Sequence, residues 1–191
     1  MAILRMAAQM INRKGFREMS LDDLAEQLAV SKPTLYYYVK SKNGILEGIL
    51  EMAMERLGEI VSAETKADAA GSGLERLTRF FEQYAAVQTD DFGACLIMTR
   101  ANIRHEQFRE KYATASREVS TAVRTIIRDG IKDGSIAPCN PKYMSVAMLG
   151  AINETVYYYM HNGKESPADT VTEFLSAFQV GLLPRERATQ S

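Results

Sequence analysis

Apolar residues recur every three or four positions through every long segment of this chain, and that spacing permits one fold class, all-α. Ile3, Leu4, Ala7, Ala8 and Ile11 mark one face of a first helix, which Gly15 stops. Ser20 and Asp23 form a capping-box pattern ahead of Leu21, Leu24, Ala25 and Leu28, the stripe of a short second helix. After the turn Ala29-Val30, Ser31 is a good N-cap for a third helix, and Pro33 fits its first turn, where a missing N–H matters little. Ser41 caps a fourth helix that carries Ile45, Leu46, Ile49, Leu50, Ala53, Leu57, Ile60 and Val61. The small, polar stretch 67–73 reads as a loop. Leu74, Leu77, Phe80, Phe81 and Tyr84 then define a fifth helix, Thr89-Asp90-Asp91 interrupts the pattern, and a shorter helix begins near Gly93. Long helices are expected over 105–133 and about 141–161. A last one opens at Ser166 or Pro167, carries Val171, Phe174, Leu175, Phe178 and Leu182, and stops at Pro184. No strand-like alternation and no internal repeat interrupts this order.

The layout divides the chain into a head of three short helices over 1–45, a body over 46–183 and a polar tail over 184–191. The head is too small to build a strong core alone, so the fourth helix is expected to pack on both units and couple them. Charge divides in the same place. Residues 1–45 carry seven Lys/Arg against four Asp/Glu, whereas the rest carries 16 against 20. A basic head suits a polyanion, and an acidic body does not.

Several classes are excluded or disfavoured. No apolar run approaches the roughly 20 residues that span a bilayer. The N-terminus lacks the basic segment, apolar core and cleavage site of a secretory signal. Cys95 and Cys139 are too few for a disulfide framework or a multi-ligand zinc site, so a reducing cytoplasm is the expected compartment, with no metal and no cofactor. No nucleophile–base pair, Gly-rich phosphate loop or HxxxH-type motif points to an enzyme.

Residues 20–39, SLDDLAEQLAVSKPTLYYYV, have the form of a helix-turn-helix: two short helices, a tight turn, and a second helix with a polar face. With Leu35 and Val39 turned inward on a helical wheel, Pro33, Thr34, Tyr36 and Tyr37 face outward, and Tyr38 lies near the core side. Lys32 stands at the helix start, where free N–H groups and the helix dipole favour a phosphate, and Lys40 and Lys42 precede the next helix in the same way. KGF at 14–16, SLDDLA at 20–25 and VSKPTLYYYVKSK at 30–42 closely resemble the DNA-binding domain of the TetR family of transcriptional regulators.

The resemblance implies that Thr34 and Tyr36 touch phosphates and base edges, and that Lys32 and Pro33 lie where the helix enters the major groove. It implies that Tyr37 and Tyr38 pack on the sugar-phosphate backbone and that Lys42 binds a phosphate. Thymine methyls are natural apolar partners for Pro33 or the Thr34 methyl. Two positions depart from the family pattern. Ala29 stands in the turn where many members have glycine; a positive φ there costs an alanine about 1 kcal/mol. Many members also carry a basic arm before the first helix, whereas this sequence starts almost directly at it: either minor-groove contacts are absent or the sequence is trimmed, and expected affinity then rests more on the phosphate lysines.

The resemblance further implies a homodimer that binds double-stranded DNA at an inverted-repeat operator, and a body that encloses a small-molecule effector. The residues support this in part. Met144, Val146, Ala147, Met148, Leu149, Ile152, Val156, Tyr157 and Met160 surround most of the helix at 141–161, so it is expected to be buried on more than one side. With the helix at 167–183 it would form a four-helix interface across a two-fold axis. Polar groups set in apolar helices are pocket candidates: Tyr84, Gln88, Asn102, His105, Asn153 and Tyr157. Met98, Met144 and Met148 offer an adaptable lining.

Overall fold

The capping residues expected at Ser20, Ser31 and Ser41 start three of the helices. In the computed structural model, which describes residues 1–66, 69–99, 106–162 and 167–182, helix α1 spans Ala2–Lys14 and ends at Gly15, whose φ is 85°. Helix α2 spans Leu21–Gln27, and the Ser20 hydroxyl accepts the Asp23 N–H. Helix α3 spans Lys32–Tyr38 and helix α4 Lys42–Thr65; Ser31 accepts the Thr34 N–H, and Ser41 the Gly44 N–H. Helix α5, Gly73–Thr89, begins with a full capping box between Ser72 and Glu75. Helix α6 spans Asp91–Thr99, two residues earlier than the apolar pattern suggests, because the Asp90 carboxylate accepts the N–H groups of Phe92 and Gly93. Helices α7, Glu106–Asp133, α8, Pro141–Asn162, and α9, Pro167–Leu182, follow. No strand occurs among the described residues.

One continuous apolar core runs from head to body. In the head, Ala7, Ala8 and Ile11 of α1 meet Leu24 and Ala25 of α2 and Leu35 of α3, all buried. Helix α4, about 36 Å long at 1.5 Å per residue, packs on α1 at its start and on α5, α6 and α7 further along. It couples the two units as its apolar pattern predicts. Its far end is fixed by charge. Glu64 is buried and accepts both Nε and Nη2 of Arg79, while Arg76 donates to the Glu64 carbonyl and bridges to Asp129. Helices α5 and α7 cross so closely that a Cβ added to Gly73 would lie 2.2 Å from the Gly130 backbone.

A second joint between head and body is not visible in the apolar pattern. Helix α1 packs directly on α6. The Gln9 amide donates to the Asp91 carboxylate at 3.0 Å, Asn12 donates to the Asp91 carbonyl at 2.9 Å, and the Arg5 guanidinium lies over the Phe92 ring. Arg56 of α4 pairs with Asp90 beside it.

Candidate DNA-binding surface and effector cavity

Helix α3 has two turns and one buried side chain, Leu35. Everything else on it faces solvent. Tyr36, Tyr37 and Tyr38 are 51, 85 and 68% exposed. Tyr38 thus departs from its expected place near the core. Leu35 alone fills the inner side, and at Val39 the chain turns to extended backbone, so no further turn presses Tyr38 inward. The Tyr37 and Tyr38 rings pack edge to face, 5.2 Å between centroids. Three adjacent aromatic rings left in water form a patch that needs a partner.

The polar residues around this patch are positioned by short contacts. Thr34 Oγ1 lies 2.7 Å from Ser31 Oγ, within the cap of α3. Lys32 Nζ pairs with Asp22 at 2.6 Å, which ties α3 to α2 and holds the ammonium above its usual range. Lys42 has an intramolecular post: Nζ donates to the Arg17 carbonyl at 2.9 Å and sits 4.6 Å from the centre of the Phe16 ring. The glycine–aromatic pair Gly15-Phe16 therefore has a physical role. The glycine turns the chain after α1, and the ring cradles the lysine at the start of α4. The turn between α2 and α3 places Ala29 at φ 53°, the left-handed region in which its Cβ is strained. The turn closes through Ala29 N–H to Glu26 O and Val30 N–H to Ala25 O, both 3.0 Å.

In the body, α4 to α8 enclose a cavity of about 90 Å³. It brings together three of the sequence candidates, Tyr84, Gln88 and Asn153. The Tyr84 hydroxyl donates to Asn153 Oδ1 at 2.9 Å. Gln88 is 3% exposed, and its Oε1 has no hydrogen-bond partner. Met148 is packed into the core, Met98 is half-buried, and neither is among the cavity's lining residues. Asn102 and His105, and the side chains of Tyr157 and His161, lie outside the described residues. Sequence reasoning missed the rest of the wall, which includes Met54, Tyr112, Ser116 and Leu149. Apolar periodicity makes such residues look like any other core position.

Cys95 is buried, and burial pushes its thiol up to about 12, the opposite of an activated nucleophile. No cluster of three or more His, Cys, Asp or Glu able to hold a metal occurs among the described residues. No described helix is long and apolar enough to cross a membrane.

The profile of the bacterial regulatory proteins, tetR family, matches residues 3–49, and the profile of the tetracyclin repressor-like, C-terminal domain matches residues 70–182. The chain belongs to the TetR family. It is a DNA-binding transcriptional regulator of a generally ligand-responsive kind and not an enzyme. It is similar to the uncharacterized HTH-type transcriptional regulator YhgD of Bacillus subtilis, 22% identical over 186 residues and 93% of both chains. Among solved structures it resembles the TetR-family transcriptional regulator PfmR from Thermus thermophilus, with a TM-score of 0.77, 25% identity and coverage of 96% and 99% of the two chains. AibR, solved in complex with isovaleryl coenzyme A and operator DNA, shares the fold at 18% identity, a TM-score of 0.74 and coverage of 97% and 98%.

Proposed function

We propose that this TetR-family protein is a dimeric repressor, active in the cytoplasm, that binds an inverted-repeat operator and is released by a small molecule. Residues 1–45 read the DNA; residues 46–183 bind the effector and the partner copy. The observation that carries the DNA-reading half is the outward face of α3. Tyr36, Tyr37 and Tyr38 are exposed there beside Thr34, Pro33 and Lys32, with one buried leucine behind them. A bound dimer occludes a promoter, which favours repression over activation.

The dimer reading rests on α8 and α9. Met148 and Ile152 of α8 are buried in the core, while Tyr143 and Val146 are exposed. On α9, Leu175 is buried while Phe174 and Val180 are exposed. Among the described residues nothing lies within 4 Å of a Cβ added to Gly150 or Gly181, which leaves room there for a second backbone. Two heads on such a dimer reach two half-sites when their recognition helices lie about 34–36 Å apart.

The cavity and the head share α6. Leu96 and Ile97 line the cavity, and Asp91, two turns earlier, holds α1 through Gln9 and Asn12. An effector that displaces α6 or α4 changes the separation of the heads. It does so only if it binds the two arrangements with different affinity.

Selection of bound DNA from a random pool by the purified protein tests this reading, and the recovered site is expected to be an inverted repeat. Tyr36→Ala then weakens binding and alters the selected bases. Lys42→Met weakens binding on every sequence and lowers the slope of log K against log salt by about one. Unchanged binding by both variants overturns the contact assignment, and a selected site without two-fold symmetry overturns the dimer.

A further inference from the structure

We propose that the effector is a small amphiphilic cation: a short apolar body with an ammonium at one end and a hydroxyl or N–H donor at the other. The proposal rests on reading the cavity as the effector site. Two independent features meet there. The first is Gln88, a wall residue that is 3% exposed and whose carbonyl oxygen Oε1 has no partner. A buried acceptor left unpaired calls for a donor. Tyr84 does not supply it, because its hydroxyl proton goes to Asn153 Oδ1. Among the described residues no charged side chain lines the cavity, so they offer a full charge no partner in its depth.

The second feature is what adjoins the cavity. Met54 of α4 and Ala115 of α7 line it, and they also line an open groove of about 630 Å³ between those two helices. The groove carries Glu51, Glu55, Glu110 and Glu118 against one ammonium, Lys111, which is 2.7 Å from Glu51. Glu51 and Glu55 are one helical turn apart, a spacing at which like charges repel. Carboxylates facing one another in a groove that shares a wall with an apolar cavity attract a cation and repel a carboxylate or a phosphate. Length follows from volume. A cavity of about 150 Å³ accommodates benzene, and water takes roughly 30 Å³. The 90 Å³ found here is smaller than the benzene cavity, so it takes the donor end and part of a short chain, and the ammonium end lies out in the groove.

Titration calorimetry of the full chain with four probes of one chain length tests the assignment: 6-aminohexan-1-ol, hexylamine, hexan-1-ol and 6-hydroxyhexanoate. The amino alcohol is expected to bind about tenfold more tightly than hexan-1-ol, with the hydroxy acid weakest, and added salt narrows the gap. The exposed pair Glu110→Gln and Glu118→Gln removes most of the advantage of the amine. Gln88→Met removes the advantage of the amino alcohol over hexylamine and leaves the preference for amines. Overturning results are binding of 6-hydroxyhexanoate as tight as that of the amino alcohol, a ranking untouched by the glutamate changes, or no binding of any probe by protein that still binds its operator. Release of operator DNA is read separately. A probe that follows the expected ranking but leaves the operator complex intact overturns the effector reading and leaves the ligand class standing.

Discussion

The two working regions of the molecule are built by opposite rules. At α3 the useful side chains are those that packing does not use: one leucine anchors the helix, and the tyrosines, Thr34 and Lys32 stand outside. At the cavity the useful groups are those that packing surrounds and does not satisfy, such as Gln88. A surface of the first kind can change its residues without disturbing the fold. A site of the second kind has less freedom, because many of its wall residues, such as Leu57, Tyr84, Leu96 and Val119, also belong to the core. If α3 reads DNA and the cavity holds the effector, as proposed, specificity and stability are separable in the head and joined in the body.

Truncation at matched depth tests that contrast most severely. Phe80 is fully buried in α5 between Phe81 and Tyr84, and Phe80→Ala is expected to destabilise the chain by about 3–5 kcal/mol. Leu35→Ala is expected to cost about 2–4 kcal/mol, with a different signature. Only α3 and its seat on α2 and α1 are loosened, so operator binding disappears while the main denaturation transition of the body stays in place. Circular dichroism across a urea series, alongside DNA binding, separates the two. A single transition shifted equally by both variants would mean that head and body unfold as one unit, and the contrast would fail.

The joint between α1 and α6 is the next place to press. Gln9→Ala with Asn12→Ala removes two hydrogen bonds to Asp91, each worth roughly 1 kcal/mol. The head then keeps its own fold and its affinity for DNA, but heat melts it earlier than the body. Differential scanning calorimetry should show the head's transition move further below the body's. An unmoved head transition would assign the coupling to α4 alone.

How much of this could be read from residue order depends on how far apart the interacting groups lie. Caps act within three residues, so Ser31 and Ser41 were legible, as was the stop at Gly15. The strain at Ala29 was legible only through the family resemblance, in which glycine often stands at that turn; the residue has a φ of 53°. Contacts between distant positions were not. Gln9 and Asn12 look like ordinary solvent-facing residues until Asp91, 79 to 82 positions away, is placed against them. Glu64 gives no sign in the sequence that Arg79 neutralises it in a buried site. The cavity falls between these extremes. Tyr84, Gln88 and Asn153 stand out because polar groups in apolar stripes are conspicuous. Met148 looked equally suitable because a thioether serves a core and a pocket wall alike.

The strained turn gives a sharper, smaller test. Ala29→Gly relieves the left-handed strain and is expected to stabilise the head by about 1 kcal/mol. Combined with Leu35→Ala, it should restore part of the lost DNA binding. Combined with Phe80→Ala, it should leave the body's transition where it was. Rescue of the body by a glycine in the head would contradict separable stability.

The smallest effect divides the regions by the way each holds a carboxylate. In the head, the Lys14 ammonium, followed by the Ser20 hydroxyl, keeps the Asp23 carboxyl below its usual value. In the body, hydrogen bonds from the Ser135 hydroxyl and the Gly73 N–H do the same for Asp133, which clips α5 to the end of α7. Both groups have a folded-state pKa below the unfolded value of 3.8, so their stabilisation is complete above that pH and disappears as the pH falls through the folded values. The head's contribution leans on an exposed ion pair, which salt screens, and the body's leans mainly on uncharged donors. Acid titrations at low and high salt should therefore show the sensitivity due to Asp23 shrink with salt while that due to Asp133 persists, and Asp23→Asn and Asp133→Asn should each remove only its own share. Equal response of both shares to salt would mean that charge, and not hydrogen-bond geometry, holds Asp133 ionised, with Arg76, the nearest cation acting on it, as the residue to change next.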